Sequence, residues 1–116
     1  MNNQNPLEQK IYTLLGFAQK AGKLVSGDES VFLSLNKKSC KMVIVATDLS
    51  DNSRKKFEQK LFSANENRKT ALEAVHIFGT KVNLGHAIGK SPRGLIAVMD
   101  DNFANAITKN LKELMQ

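Results

Sequence analysis

The sequence Met-Val-Ile-Val-Ala-Thr at residues 42–47 is a β-branched, largely apolar run. A run of this kind predicts a strand that is buried on both of its faces. Residues 75–78 and 95–99 are two further runs of the same character, and Leu24-Val25 leaves room for a short fourth strand. Because strands buried on both faces need helices on both sides of their sheet, these runs predict an α/β protein.

The segments around these strands carry apolar residues at helical spacing. In the first of them, Ile11, Leu15 and Ala18 share one side, and Gly22 follows as a helix stop. Five helices are predicted in this way: one before Gly22, one from Gly27, one from Ser50 or Asp51 to about Asn65, one from Thr80 to Ile88, and one from Asp100 or Asp101 onward. The expected architecture is a three-layer α/β/α sandwich with a mixed sheet of about four strands.

The second helix carries a recognisable start signal. Ser26 and Glu29 have the serine-to-glutamate spacing of a capping box, so this helix is expected to begin at Gly27. Lys37 and Lys38 are expected in its last turn, where positive charge complements the helix dipole.

The length and charge of the chain fit one small domain with a polyanionic partner. Its 116 residues suffice for a single core, so residues 7–116 are expected to form one domain after a disordered N-terminus at residues 1–6. The 17 lysines and arginines against 11 aspartates and glutamates give a net charge of +6, which favours a partner such as nucleic acid. The cations form loose groups without a long basic tail, and each group alone also fits a solvated helix face.

The sequence also indicates a cytoplasmic location. Its apolar runs are too short to span a bilayer, and its N-terminus lacks the basic start and apolar stretch of a signal peptide. Cys40 is the only cysteine, so no internal disulfide can form, and a semi-buried structural thiol is expected. We therefore expect no membrane partner.

No set of residues in the sequence suggests catalysis, a metal site or a cofactor. Residues 85–91, Gly-His-Ala-Ile-Gly-Lys-Ser, differ from a nucleotide-binding P-loop, because only three residues separate the glycines and a helix precedes the loop. His76 and His86 lack nearby cysteines or paired carboxylates, so structural roles are expected for both. Asp48 is interpreted as a loop or capping residue. The chain is expected not to be an enzyme and to take no small-molecule substrate.

Three sequence blocks, taken together, resemble the L7Ae ribosomal protein family. They are Phe-Ala-Gln-Lys-Ala-Gly-Lys-Leu-Val-Ser-Gly at residues 17–27, Val-Ile-Val-Ala-Thr-Asp-Leu-Ser at 43–50, and Leu-Gly-His-Ala-Ile-Gly-Lys at 84–90. The resemblance extends over roughly residues 8 to 115 and is greatest to the short bacterial branch of the family. It implies a three-layer α/β/α fold and the binding of kink-turn-like structured RNA, with ribosomal RNA as one candidate. It also implies a role in ribosome or RNA biology. A kink-turn is a sharply bent helix–bulge–helix with sheared G·A pairs beside the bulge.

The resemblance also implies which residues contact RNA. The start of the second helix, which reads the G·A pairs in the family, corresponds here to Gly27, Asp28, Glu29 and Ser30, with Lys23 and Lys37 as phosphate contacts. The loop after the fourth helix, which packs against an extruded base, corresponds to Ile88, Gly89, Lys90, Ser91, Pro92 and Arg93. These two stretches are expected to lie side by side as one positively biased surface.

The chain departs from the family within the reading segment. Glu29 stands where tight-binding members carry asparagine, Ser30 where they carry glutamate, and Leu33 where they carry lysine. We therefore expect a shifted or weaker RNA preference. Helix capping is the alternative role for Asp28 and Glu29, and a protein-interaction module on the same fold is the alternative function of the whole chain.

Overall fold

The computed structural model describes residues 5–66 and 74–116, which contain five helices and four strands. In chain order these elements are α1 (Pro6–Lys20), β1 (Leu24–Ser26), α2 (Asp28–Asn36), β2 (Met42–Val45), α3 (Asp51–Glu66), β3 (Val75–Ile77), α4 (Lys81–Ala87), β4 (Leu95–Val98) and α5 (Asp101–Leu114). Every element predicted from the sequence is present, in the predicted order.

The four strands form one mixed sheet in the order β1-β4-β2-β3. β4 is antiparallel to both β1 and β2, whereas β2 and β3 are parallel, so β1, β2 and β3 all run in the same direction. In this register Val98 lies between Leu24 and Met42, which fixes the alignment of the three strands. The predicted mixed sheet is confirmed.

Helices cover both faces of the sheet, and its two central strands, β2 and β4, are buried along their whole length. The expectation that residues 75–78 form a strand buried on both faces is wrong, because β3 is an edge strand and its Ile77 is 70% exposed. Met42 and Ile44 face one core, to which α1, α4 and α5 contribute their apolar residues. Val43 and Val45 face the other core, which α2 and α3 complete. The β-branched run at the centre of the sequence is thus shared between two cores, and the three-layer α/β/α sandwich is confirmed.

The start of α1 differs from the sequence prediction. The Asn5 side chain accepts a hydrogen bond from the Leu7 amide at 2.8 Å, and Pro6 occupies the first turn. Asparagine is a strong N-cap, and proline fits the first turn because its missing N–H has no partner there. Asn5 and Pro6 therefore begin a helix instead of belonging to a disordered N-terminus. The rest of that expectation concerns residues 1–4, which lie outside the described residues.

Cys40 is more deeply buried than the sequence suggested. Its side chain is 1% exposed, and its Sγ–H donates to the Met42 carbonyl at 3.2 Å. Burial of this kind fits a structural thiol. Within the described residues, no helix is both long and apolar enough to cross a membrane.

Candidate nucleic-acid interface

The two ends of the sheet carry different sets of loops. We call the end at which β1, β2 and β3 finish the carboxyl end, and the opposite end the amino end. α2, α3 and α4 begin at the carboxyl end because each of them follows one of these strands. The start of α2 and the loop between α4 and β4 are both found there.

The start of α2 is set by a glycine. The Gly27 amide donates to the Leu95 carbonyl at 3.0 Å, and Gly27 serves as the N-cap with φ +90° and ψ 156°. A residue with a side chain rarely adopts this φ, so the position favours glycine. No side chain caps α2, and apart from Gly27 and its two chain neighbours no atom of the described residues lies within 4 Å of the place where a Cβ would stand. The first turn of α2 is therefore open to an approaching ligand.

The loop after α4 is closely packed against its own helix. The Gly89 amide donates to the His86 carbonyl at 3.2 Å, and the Lys90 amide donates to the Gly85 carbonyl at 2.8 Å, a Schellman motif. A Cβ on Gly85 would lie 2.2 Å from the Ser91 carbonyl oxygen, closer than any contact allows. Gly85 thus lets the loop fold back over α4.

Arg93 joins this loop to the start of α2. Its Nε donates to the Ser26 hydroxyl at 3.1 Å, and its Nη1 donates to the Ser91 hydroxyl at 2.7 Å. The Arg93 amide also donates to the Lys81 carbonyl at 3.0 Å. One guanidinium therefore fixes the loop beside the last residue of β1. We call the surface formed by residues 27–30 and 89–93 the ledge.

The predicted capping box is not formed. Ser26 is the last residue of β1, and its hydroxyl accepts from Arg93 instead of capping α2. The expected start at Gly27 is right, but the conformation of the glycine sets it. Asp28 does not cap the helix either, since its carboxylate accepts a hydrogen bond from the Ser53 hydroxyl at 2.9 Å and so ties α2 to α3.

The structure brings together most of the residues that the sequence selected. Side by side at the carboxyl end of the sheet lie Gly27, Asp28, Glu29, Ser30, Gly89, Lys90, Ser91, Pro92 and Arg93. Glu29, Ser30, Lys90, Ser91 and Pro92 are exposed. The expectation that the two stretches are neighbours is met.

Ile88 is the exception within the loop. Its side chain is 5% exposed and belongs to the core that α1, α4 and α5 share. It forms the C-cap of α4, where the helix still faces α1 and the sheet. Its side chain therefore stabilises the fold and is not available to RNA, contrary to the expectation.

Lys23 and Lys37 lie at the amino end of the sheet, away from the ledge. The Lys23 carbonyl accepts from the Met99 amide at 2.8 Å, beyond the last residue of β4. Lys37 caps the C-terminus of α2, which runs back from the carboxyl end over β1 and β4. α2 ends one residue earlier than Lys37, so neither Lys37 nor Lys38 is in its last turn as predicted.

This separation changes the charge of the ledge. Its own ionisable side chains are two carboxylates, Asp28 and Glu29, and two cations, Lys90 and Arg93. The expected positive bias of the ledge depended on Lys23 and Lys37 and is not present in the ledge alone. Any attraction that the net charge of +6 exerts on a polyanion comes mostly from elsewhere on the molecule.

The sequence did not predict the hydrogen bonds that hold the residues of the ledge in position. The Ser53 hydroxyl donates to the Asp28 carboxylate, and the Ser26 hydroxyl accepts from Arg93 Nε. The Asp48 carboxylate accepts from the Lys81 amide at 2.9 Å. Ser26 and Arg93 are 67 positions apart, and Asp28 and Ser53 are 25 apart, so no local pattern could have paired them. Asp48 was interpreted as a loop or capping residue, and it does receive the first amide of α4.

The rest of the described structure offers no metal centre. Within residues 5–66 and 74–116, no three histidine, cysteine, aspartate or glutamate side chains are grouped so that they could hold an ion. His76 lies in β3 with its Nε2 buried and without a hydrogen-bond partner in that part of the chain. Burial, followed by the charge of Lys112, lowers the pKa of His76 below its usual value.

Comparison with known proteins places this architecture in a family. The model of the Ribosomal protein L7Ae/L30e/S12e/Gadd45 family matches residues 9–108. The chain belongs to this family. The match spans the whole sheet and both parts of the ledge.

Curated relatives in the family are similar over most or all of the chain. RNA-binding protein YlxQ of Enterococcus faecium is 32% identical over 116 residues, which cover 100% of this chain and 99% of that protein. RNA-binding protein YlxQ of Bacillus subtilis (strain 168) is 34% identical over 97 residues, which cover 83% of this chain and 89% of that protein. The resemblance to the short bacterial branch is confirmed. The expectation that the chain is not an enzyme agrees with these relatives, both of which are named as binding proteins.

Solved structures confirm the fold. A protein with unknown function from Bacillus halodurans C is 29% identical with a TM-score of 0.75, over 89% of this chain and 97% of that chain. The 15.5kD RNA binding protein of Giardia lamblia superposes with a TM-score of 0.68, over 96% of this chain and 92% of that chain. At 19% identity, the second similarity concerns the fold alone.

Proposed function

We propose that the chain binds structured RNA through the ledge, with kink-turn-like elements as its preferred target. The observation that carries this proposal is the hydrogen bond from Arg93 to Ser26, which holds the loop after α4 beside the start of α2. Two recognition segments fixed beside each other form one surface that an irregular RNA can contact at two points. The curated relatives named RNA-binding proteins support the same partner.

The open first turn of α2 suits contact with base edges. The regular major groove of RNA is too deep and narrow for side chains, whereas a kink exposes the edges of its bases. Around Gly27 the backbone is unobstructed, and Glu29 and Ser30 are exposed beside it. A carboxylate accepts hydrogen bonds from base amino groups, and a hydroxyl both donates and accepts.

The loop supplies the second contact. Lys90, Ser91 and Pro92 are exposed, and the ring of Pro92 offers an apolar surface to an unstacked base. Lys90 is free to approach a phosphate. Because Asp28 and Glu29 balance the two cations of the ledge, recognition depends on the shape and base edges of the RNA more than on charge.

A binding comparison tests this proposal. Calorimetry or gel shift would compare a kink-turn RNA with a variant of equal length in which Watson–Crick pairs replace the G·A pairs. We expect tighter binding to the kink-turn RNA at every salt concentration. Equal affinity for both would remove specific recognition and leave only charge attraction.

The cellular setting follows from the proposed partner. We place the protein in the cytoplasm, in ribosome or other RNA biology, with ribosomal RNA as one candidate. The single cysteine, which is buried, is compatible with a reducing compartment. Crosslinking in cells, followed by sequencing of the bound RNA, would identify the target.

A second candidate function is a protein-interaction module on the same fold. The observation that favours it is the exposure of Leu33 on α2 and Phe62 on α3, at 52% and 68%. Large apolar side chains at this exposure are common at protein interfaces. A partner that remains bound after nuclease treatment, and is lost on Leu33→Lys, would support this candidate.

A further inference from the structure

Five exposed lysines gather at the amino end of the sheet, opposite the ledge. Lys20 is the last residue of α1, and the other four lie in the two loops that precede β1 and β2: Lys23, Lys37, Lys38 and Lys41. We call this group the lysine end. The proposal that follows rests on the RNA-binding function proposed above.

Backbone hydrogen bonds place the two loops next to each other. The Lys23 carbonyl accepts from the Met99 amide, and the Lys41 amide donates to the Val98 carbonyl, both at 2.8 Å. Lys23 and Lys41 therefore flank the end of β4, about 10 Å apart, which is two strand spacings. Lys37 and Lys38 lie in the same loop as Lys41, between α2 and β2.

The lysine end carries an excess of positive charge. Within the described residues, the carboxylates on elements that begin or end here are Glu66, at the end of α3, and Asp100 and Asp101, at the start of α5. The Asp100 carboxylate already accepts from the Phe103 amide. Among the residues that the structure describes, five cations thus stand against three carboxylates. The ledge, in contrast, carries two of each.

Lys38 takes the left-handed position of the Schellman motif that ends α2, in which the Lys38 amide donates to the Leu35 carbonyl and the Ser39 amide to the Ser34 carbonyl, both at 3.1 Å. The φ of Lys38 is +58°, and within the described residues Lys38 is the only residue other than glycine with a positive φ. The other positive-φ positions of the described chain are Gly22, Gly27, Gly79 and Gly89. A side chain in this conformation strains the backbone. Glycine would relieve the strain, so the lysine side chain is present at a cost in stability.

The lysine end and the ledge are too far apart to hold the same phosphate. β1 and its flanking residues separate Lys23 from Gly27 by four steps, or about 13 Å at 3.3 Å per residue. An RNA that touches both surfaces must extend along the molecule for roughly four stacked nucleotides. We propose that the lysine end is a second RNA-binding surface, which contacts backbone phosphates of the same RNA without reading its sequence.

Matched triple variants test the proposal. Lys23→Gln, Lys38→Gln and Lys41→Gln together remove three charges from the lysine end. Lys10→Gln, Lys109→Gln and Lys112→Gln remove three charges from exposed positions on α1 and α5. Binding of each variant to the kink-turn RNA and to its Watson–Crick counterpart is measured over a range of salt concentrations.

We expect the lysine-end variant to bind both RNAs more weakly by the same factor. The slope of log K against log salt concentration should become less steep by about 2, because phosphate contacts release counterions. The ratio of the two affinities should not change, and the α1–α5 variant should keep most of the slope. Equal losses in the two triple variants, or no loss at the lysine end, would overturn the proposal.

The same measurements separate this proposal from specific recognition at the ledge. If the wild-type protein binds both RNAs equally, the kink-turn proposal fails, while a selective loss at the lysine end still supports the second surface. If the wild type discriminates but the lysine-end variant retains its affinity, only the second surface fails.

Lys38→Gly adds a test in which stability and binding move in opposite directions. The variant should unfold at a temperature higher by about 3–6 °C, because glycine tolerates the positive φ. It should also bind RNA more weakly and with a smaller salt slope. A more stable variant with unchanged RNA affinity would show that Lys38 does not contact the phosphates.

Discussion

The Nε of Arg93 lies 3.1 Å from the Ser26 hydroxyl, which connects the end of β1 to the loop that precedes β4. Both residues are partly buried, so their hydrogen bond is shielded from water on one side. A charged donor in such a position contributes about 1.5–3 kcal/mol when it is well formed. The ledge therefore depends on an interaction that can be removed without touching any residue proposed to contact RNA directly.

Ser26→Ala should loosen the loop without unfolding the protein. The variant removes the acceptor of Arg93 Nε and leaves the charge of the protein unchanged. We expect a loss of about 1–2 kcal/mol in the free energy of unfolding, measured in urea. Faster exchange of the hydrogen-bonded amides of Lys90 and Arg93 should accompany it. Ser39→Ala, a serine at the amino end of the sheet, is the control, and equal exchange rates in both variants would contradict the proposed link.

Gly85→Ala should destabilise the protein although alanine is the better helix former. In a free helix the change would stabilise by about 1 kcal/mol. Here the new Cβ would meet the Ser91 carbonyl oxygen at 2.2 Å, so the loop must move. We expect a net loss of about 1–3 kcal/mol and weaker binding to the kink-turn RNA. Val82→Ala, on the exposed side of α4, should leave the affinity for RNA unchanged.

Glu29→Gln should distinguish electrostatic repulsion between Glu29 and phosphate from hydrogen bonding between Glu29 and a base. The amide keeps the shape of the side chain and removes a charge that repels phosphate. We expect tighter binding to the Watson–Crick RNA, by about two- to fivefold, since one close like-charge repulsion is worth up to roughly 1 kcal/mol at an exposed site. Binding to the kink-turn RNA should gain less, because the neutral amide oxygen of glutamine is a weaker acceptor for a base amino group than the carboxylate. Glu113→Gln on α5 serves as the control, and an equal gain for both RNAs would show that Glu29 reads no base.

The burial of His76 should make the stability of the protein depend on pH. Burial and then Lys112 lower the pKa of His76 in the folded state, so the unfolded chain binds a proton more readily. The protein is therefore most stable with respect to this group above the pKa of His76 in the unfolded chain, about 6.5. That part of the free energy of unfolding is lost progressively as the pH falls toward the lower pKa of His76 in the folded state. His76→Leu should flatten this part of the profile in urea unfolding. An unchanged profile in His76→Leu would assign the dependence to other groups.

The fold was predictable because its signals are local and redundant. The run at residues 42–47 and the helical spacing of the segments around it fix the type of each element, and burial on both faces then requires a layer on each side. Gly89 marks the end of α4 and Asp100 the start of α5, where each has the expected role. The start of α1 was misjudged because the N-cap at Asn5 lies within a polar stretch that resembles a disordered terminus.

The candidate site was predictable only in part. Its two segments were found through resemblance, but Arg93 and Ser26 are too distant in sequence for any periodic pattern to pair them. The separation of Lys23 from Gly27 was missed for the opposite reason: the two residues are close in sequence, but the three residues of β1 between them place them at opposite ends of the strand. Ile88 was assigned to the surface because an apolar residue at a helix end can face either the core or solvent, and only the packing of α1 against α4 decides between them.

The position of β4 in the sheet has a consequence for the synthesis of the protein. This strand is the last of the four along the chain, yet it lies between β1 and β2. Until residues 95–98 emerge from the ribosome, β1 has no strand to pair with, and the Gly27 amide lacks its acceptor, the Leu95 carbonyl. The strand that separates the loops at Lys23 and Lys41 is also missing. Contacts between such distant segments form late in folding. A nascent chain arrested before β4 should therefore remain unable to hold RNA, however much of its helical content has already formed.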